Sequence, residues 1–363
     1  MRTWFTVFAL VALVSGCRTN PQEDPVEKNR TGASPKPAKV DEQAAAVIAR
    51  AVDAIGGRAA LQDASTYSYT GSTVITAGSF HQEEPFTLYE KAPGRSYYET
   101  PIGRRKLIFA TNGEMAWTQN DGALAPYRMP DEEAAGVIRR AVFNRFYFGM
   151  ADRGVNVVYL GEQEVEAIDS VIAPERLSVL AYVYPDGDTV RAHFSLETGR
   201  LRMTARNILT SIGPSPVQVW FGDYRPVGNL FVSHSNTTLF PGEKHLTTVS
   251  ETKINEPIED EIFELASTPT LTRDQLAALV GTYEFEDDVS VEIAFGDAGL
   301  LYRRGEDHPL PLVAINDTLF LVGTGHDLRN LEFARPIDGR SPHLRISKGE
   351  DGQVLTNTAS GSR

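Results

Sequence analysis

Residues 176–207 read RLSVLAYVYPDGDTVRAHFSLETGRLRMTARN. Three runs in this stretch, Arg176–Tyr184, Thr189–Ser195 and Leu201–Asn207, alternate apolar with polar side chains and are rich in Val, Tyr, Thr and Phe. Successive side chains of a strand point to opposite faces, so this alternation gives each run one face to bury. Asp186-Gly187 between the first two runs is a tight-hairpin signal, and Glu197-Thr198-Gly199 joins the second to the third. Connections this short permit only antiparallel pairing. The stretch predicts consecutive strands of an antiparallel meander, and with it a mainly β fold.

The same rhythm extends in both directions. Tyr67, Tyr69, Thr73 and Ile75 mark a strand, and Phe86, Leu88 and Tyr89 another. Arg95–Glu99, Lys106–Ala110 and Met115–Gln119 follow, with turn signals at Pro93-Gly94, Asn112-Gly113 and Asp121-Gly122. Downstream, Val155–Gly161, Val217–Tyr224, Leu230–Phe240 and His245–Ile254 read as strands. Ahead of them Val40–Ile55 reads as a helix, capped by Asp41, apolar at Val47, Ile48, Val52 and Ile55, and stopped by Gly56-Gly57; Arg58–Ala64 adds a turn.

One segment interrupts the strands. Pro130-Asp131-Glu132-Glu133 opens a helix with carboxylates where the helix dipole favours them. Toward Phe148 this helix carries Val137, Ile138, Val142, Phe143, Phe146, Tyr147 and Phe148, apolar over most of its circumference. Two compatible readings follow: a helix buried against the concave face of a curved sheet, or a lid over a lipid-sized cavity. In the second reading Trp117, Phe143, Phe146 and Phe148 line the cavity, since they bring large apolar area to the place where helix meets sheet.

The N-terminus carries a different signal. Arg2 precedes an apolar run from Trp4 to Val14, too short to span a bilayer, and Val14-Ser15-Gly16-Cys17 follows. Val-Ser-Gly-Cys resembles the bacterial lipobox, which implies cleavage after residue 16 and acylation of Cys17, for example with palmitate. Arg18 rather than Asp at the next position implies, by the same resemblance, the outer membrane facing the periplasm. Residues 17–39 contain the anchor and a proline-rich polar tether with nothing to bury. Cys17 is the chain's one cysteine, so no disulfide within the chain can form, and stability rests on core burial.

Several pieces resemble the lipoprotein-sorting (LolA/LolB-like) superfamily. They are the opening helix ending in Ile55-Gly56-Gly57, Phe194-Ser195-Leu196-Glu197-Thr198-Gly199-Arg200-Leu201 between two strands, and the closing Asn255-Glu256-Pro257-Ile258 followed by Phe263. The resemblance spans residues 40–267. It implies an incomplete, strongly curved antiparallel barrel with helices over its open side and an apolar interior that takes acyl chains. After a linker at Ser267–Thr270, a second domain over residues 270–350 begins with a helix capped by Thr272 and continues in seven short strands. Its Leu279-Val280-Gly281-Thr282-Tyr283 resembles the start of the small lipocalin-like module found behind penicillin-recognising hydrolases, here without the hydrolase. Residues 351–363 read as a disordered tail.

Composition and motifs narrow the function. A formal charge of −13, with 35 basic and 48 acidic side chains, lacks the basic footprint of a nucleic-acid binder. No Gly-x-Ser-x-Gly is present. Ser233-His234-Ser235 lies in a predicted strand, where His234 points away from both serines. The seven histidines form no His-Glu-x-x-His pair, and Asp186-Gly187-Asp188 continues with Val190 and Arg191, against the EF-hand pattern. The sequence therefore predicts neither enzyme, metal site nor cofactor. It predicts an envelope lipoprotein that binds a lipid or a lipoprotein acyl chain without covalent chemistry; the alternative is a structural or interaction lipoprotein that binds another envelope protein. Cys17→Ser is expected to abolish incorporation of a labelled fatty acid, measured by metabolic labelling; labelling at wild-type strength would remove the anchor.

Overall fold

The computed structural model describes residues 38–102, 105–120, 122–166, 172–210, 213–266, 270–284, 290–296, 299–323, 328–348 and 351–357. The expectations for the signal, Cys17, the tether up to residue 37 and the tail from 358 lie outside them, whereas residues 351–357, expected in the disordered tail, form a strand paired on both sides. The chain forms two compact units: Met1–Thr100, Ala110–Met115 and Asp131–Phe263 make the first, and Pro101–Phe109, Ala116–Pro130 and Glu264–Arg363 the second. Among the described residues no helix is long and apolar enough to cross a membrane.

The first unit opens with helix α1, Glu42–Ala54. The Asp41 carboxylate accepts a hydrogen bond from the Ala44 amide at 2.6 Å, satisfying one of the free donors at the helix start. Ala44, Ile48, Ala51 and Val52 recur at helical spacing and form the buried face. Gly56, with φ +123°, ends the helix where an L side chain would be strained, and α2 (Gly57–Asp63) follows.

The strands are β1 (Thr66–Ala77), β2 (Phe80–Lys91), β3 (Arg95–Ile102), β4 (Arg105–Thr111), β5 (Ala116–Gln119) and β6 (Tyr127–Arg128). Helix α3 (Asp131–Phe146) and a 3-10 helix (Tyr147–Arg153) precede β7 (Asn156–Val165), β8 (Glu175–Val183), β9 (Thr189–Ser195), β10 (Leu201–Thr210), β11 (Gly213–Val227), β12 (Leu230–Phe240) and β13 (Glu243–Ile254). The predicted helix to Phe148 therefore ends at Phe146, and the tighter 3-10 turns carry Tyr147 and Met150 inward.

Within the first unit the strand order is β3-β2-β1-β13-β12-β11-β10-β9-β8-β7, antiparallel and open at its β7 edge. β1 pairs with β13 from Tyr67↔Ile254 to Thr76↔Lys244, which joins the first strand to the last. One face carries Tyr67, Tyr69 and Phe86 against Ala60 and Leu61 of α2. Farther along, Leu180, Tyr182, Val190, Ala192 and Phe194 pack with α1, Val142 and Phe143 of α3, and Tyr147. The opposite face buries Ile172, Leu177, Met203 and Trp220.

The sheet must curl. β3 and β10 stand six strand spacings apart, about 29 Å if flat. Val142 and Phe143, neighbours on α3, nevertheless lie against Gly94 just before β3 and against Tyr182 of β8, two strands beyond β10. The result is the expected mainly β architecture, a curved antiparallel sheet not closed into a barrel, with helices on its concave side.

In the second unit the C-terminal strands are β14 (Gly281–Glu284), β15 (Ser290–Gly296), β16 (Gly299–Arg304), β17 (Leu310–Pro311), β18 (Val313–Ala314), β19 (Leu319–Val322), β20 (Arg329–Phe333), β21 (His343–Lys348) and β22 (Asp351–Asn357). Their order is β17-β16-β15-β14-β22-β21-β20-β19-β18. The two edge strands β17 and β18 are one residue apart in the chain, which curls this sheet onto itself. The Leu-x-Gly-x-Tyr motif has a physical reason: fully buried Tyr283 donates its hydroxyl hydrogen to the Leu279 carbonyl at 2.8 Å.

Residues 101–109 and 116–130, read in the sequence as strands of the first domain, group with this second unit. The Asn330 side chain accepts from the Leu124 amide at 2.8 Å and donates to the Gly122 carbonyl at 2.7 Å, and Ala123 and Tyr127 bury themselves against Leu321 and Leu328.

Gly94, in the β2–β3 turn with φ +85°, lies against α3: a Cβ there would come within 2.7 Å of a Val142 methyl. Gly94→Ala is expected to cost about 1–3 kcal/mol in chemical denaturation. An unchanged stability would show that α3 does not pack against this turn.

Candidate functional site

The packing beneath α3 is made first of aromatic rings. Phe143 meets Tyr182 edge-on at 5.0 Å between centroids, Tyr147 lies 5.6 Å from Phe194, and half-buried Phe148 closes on Tyr147 at 5.9 Å. Alternation places Tyr182 on the inward face of β8, in phase with Leu180. The hydroxyls of Tyr147, Tyr182 and Tyr184 are buried and have no hydrogen-bond partner among the described residues. Burial raises the pKa of all three, Tyr184 to about 12. Tyr224 differs: its hydroxyl donates to the Leu201 carbonyl at 2.6 Å.

Charged groups form a second layer. Arg139 of α3 forks onto the β8–β9 hairpin, with Nη2 on Asp186 and Nη1 2.5 Å from Asp188, and its guanidinium stands 5.0 Å over the Tyr184 ring. The hairpin read from Asp186-Gly187-Asp188 is thus the anchor point of the helix. The next residue, Arg140, points toward a different set. Its pKa is lowered to about 10, chiefly by burial and next by repulsion from Arg206, while Tyr98 and Glu90 pull the other way. Arg206 is likewise held below its ordinary value, chiefly by burial. Glu90, 4% exposed, is pushed up to about 8 by burial, against the attraction of Arg140.

A cleft of about 310 Å³, its open mouth included, runs beside these groups and is lined by Leu61, Tyr67, Glu90, Lys91, Arg95 and Ala141 among others. Lys91 and Arg95 share Asp260 Oδ1 at 2.6 and 2.7 Å. The acidic run before Phe263 therefore supplies a partner to the cleft's basic rim, while Phe263 itself is fully buried.

Of the four side chains expected to line a cavity, Phe143 and Phe148 meet in this aromatic cluster. The Phe146 side chain lies outside the described residues, and Trp117 belongs to the second unit, buried on β5. Ser233 Oγ donates to the carbonyls of Gly222 and Ser235, and His234 on the other face holds the Val232 carbonyl through Nδ1. Glu90, Arg140, Arg206, Tyr182 and Tyr184 were not singled out in the sequence. Glu90 carried a signal, since it continues the inward series Phe86, Leu88 with a carboxyl where an apolar residue is due.

No protein-family profile matches the chain, and no curated protein matches it in sequence. Among solved structures it is similar to a LolA superfamily protein of Nitrosomonas europaea, at 16% identity and a TM-score of 0.42 over 61% of this chain and 97% of that one. It is also similar to a DUF1329 family protein of Desulfovibrio piger (13%, 0.43, 60% and 96%) and to LprF of Mycobacterium bovis (11%, 0.24, 60% and 96%).

The raised carboxyl of Glu90 fixes the sign of a pH effect. A group whose pKa is higher folded than unfolded stabilises most below its unfolded value, and that contribution is lost as pH rises through the folded one. Glu90 should thus destabilise the protein increasingly from pH 4.5 to about 8. Glu90→Gln is expected to show a stability advantage that grows across this window and levels off above it, reaching on the order of 3 kcal/mol. Denaturation at a series of pH values checks this; parallel wild-type and variant profiles would contradict it.

Proposed function

We propose that the first unit binds a lipid or lipoprotein acyl chain non-covalently, between α3 and the concave face of the sheet, on a protein anchored by Cys17 in the outer membrane and facing the periplasm. The observation that carries this reading is the set of three buried hydroxyls on Tyr147, Tyr182 and Tyr184. An unmade hydrogen bond on a buried hydroxyl costs about 1–3 kcal/mol. Phenylalanine would fill the same space without that cost. Three such positions around one aromatic cluster therefore favour an interior that meets both apolar surface and polar groups, as an amphipathic guest supplies. The sequence resemblance to LolA/LolB-like proteins points the same way, and so does a cover made of one helix with Ala134, Ala141 and Val142 on its buried side.

Binding of a fluorescent fatty acid to the full chain tests the reading. Wild type is expected to bind in the micromolar range or tighter. Tyr182→Phe, which removes an unpartnered hydroxyl, is expected to hold or raise stability by about 1 kcal/mol while weakening binding severalfold. A wild type that binds no acyl chain, with Tyr182→Phe indistinguishable from it, would leave the protein-interaction alternative in its place.

A further inference from the structure

The cleft between α2 and α3 has two cations and one carboxylate at its mouth. Lys91, the last residue of β2, and Arg95, the first of β3, pair across the turn, and both line the cleft. Lys91 Nζ and Arg95 Nη1 converge on one oxygen of Asp260, at 2.6 and 2.7 Å, and Lys91 also donates to the Ile258 carbonyl at 3.0 Å. One positive charge is left over. Glu90 in the cleft wall does not cancel it at neutral pH, because burial keeps that carboxyl protonated up to about pH 8. The shared oxygen shows what the two donors are placed to hold, an anionic oxygen between an ammonium and a guanidinium. Asp260 fills that place weakly. Its side chain is 56% exposed, and an ion pair so open to water adds little to stability. A phosphate monoester carries about −1.5 to −2 charge and three acceptor oxygens, more than a carboxylate brings to the same two donors. Behind the mouth the walls are apolar, formed by Leu61, Ala64 and Ala141.

We infer that Lys91 and Arg95 form a phosphate site at the mouth of this cleft, and that the Asp260 carboxylate occupies it until a phosphate displaces it. The inference stands apart from the acyl-chain reading above, since the two cations alone make the site. The phosphate comes either free or as the head of a lipid, whose chain would then meet the apolar walls. Displacement moves a side chain and leaves the backbone in place: Asp260 opens the 3-10 turn Asp260–Phe263, which fully buried Phe263 pins to the first unit.

Calorimetric titration of the full chain at neutral pH with inorganic phosphate, dodecyl phosphate and dodecanol tests this. Asp260→Asn removes the competing carboxylate and is expected to bind inorganic phosphate about threefold tighter than wild type. Lys91→Gln and Arg95→Gln should each weaken phosphate binding roughly tenfold, the scale of one charge-assisted hydrogen bond, and leave any dodecanol binding unchanged. All three positions are at least partly open to water, so the melting temperature should hold in each variant. A merely structural cluster gives the opposite pattern: Asp260→Asn lowers the melting temperature and phosphate affinity does not rise. Dodecyl phosphate bound about tenfold tighter than inorganic phosphate supports the site and identifies its ligand as a lipid head. Equal affinity for the two phosphates supports the site for free phosphate. No binding of either phosphate by Asp260→Asn, in which the site is open, overturns the inference whether or not dodecanol binds. Phosphate binding that survives unchanged in both Lys91→Gln and Arg95→Gln overturns it too.

Discussion

Helix α3 is held from two distant parts of one curved sheet, and the rest of the first unit depends on that double hold. At one side Gly94, in the β2–β3 turn, lets Val142 approach closer than any side chain at that position would allow. At the other, Arg139 forks onto Asp186 and Asp188 in the β8–β9 hairpin. An open antiparallel sheet with an apolar concave face needs a cover. A cover fixed at both rims closes the concave face over an aromatic core. Tyr147 and Met150 sit beneath it because the 3-10 turns after Phe146 continue the helix inward.

This arrangement places two chemistries side by side. The aromatic cluster of Phe143, Tyr147, Tyr182 and Phe194 offers apolar surface, and Arg140, Arg206, Glu90 and Tyr184 offer charge and hydrogen-bond donors. A core built for stability alone would separate these, since each buried polar group without a partner lowers stability. Their conjunction under a single helix is what the proposed binding of an amphipathic molecule rests on. Such a trade of stability for function is common at binding sites.

Much of the fold was legible because it is local. Alternation in Tyr67–Ile75, in Thr189–Ser195 and in Leu230–Phe240 marks strands that form with nearly those bounds, and Asp41 caps α1 through the hydrogen bond expected of it. Long-range contacts were not legible. The attachment of residues 116–130 to the C-terminal unit depends on Asn330, two hundred positions away, bonding the backbone of Gly122 and Leu124; no periodicity encodes that. The candidate site was half legible. Its aromatic side announced itself in the crowding of Phe143, Tyr147 and Phe148. Its charged side did not, because Arg139 on a helix looks like an ordinary solvated position until the sheet curls and sets it on Asp186 and Asp188.

The central claim is that an acyl chain lies between α3 and the concave sheet. Photo-crosslinking with a fatty acid carrying a diazirine along its chain, followed by peptide mass spectrometry of the full protein, tests it most directly. The account predicts that the label falls on Phe143–Met150 and on β8 and β9 around Tyr182 and Phe194, and that unlabelled fatty acid competes it away. Label confined to outward-facing positions such as Val158, Leu160 or Phe231, or label that no competitor removes, would contradict it.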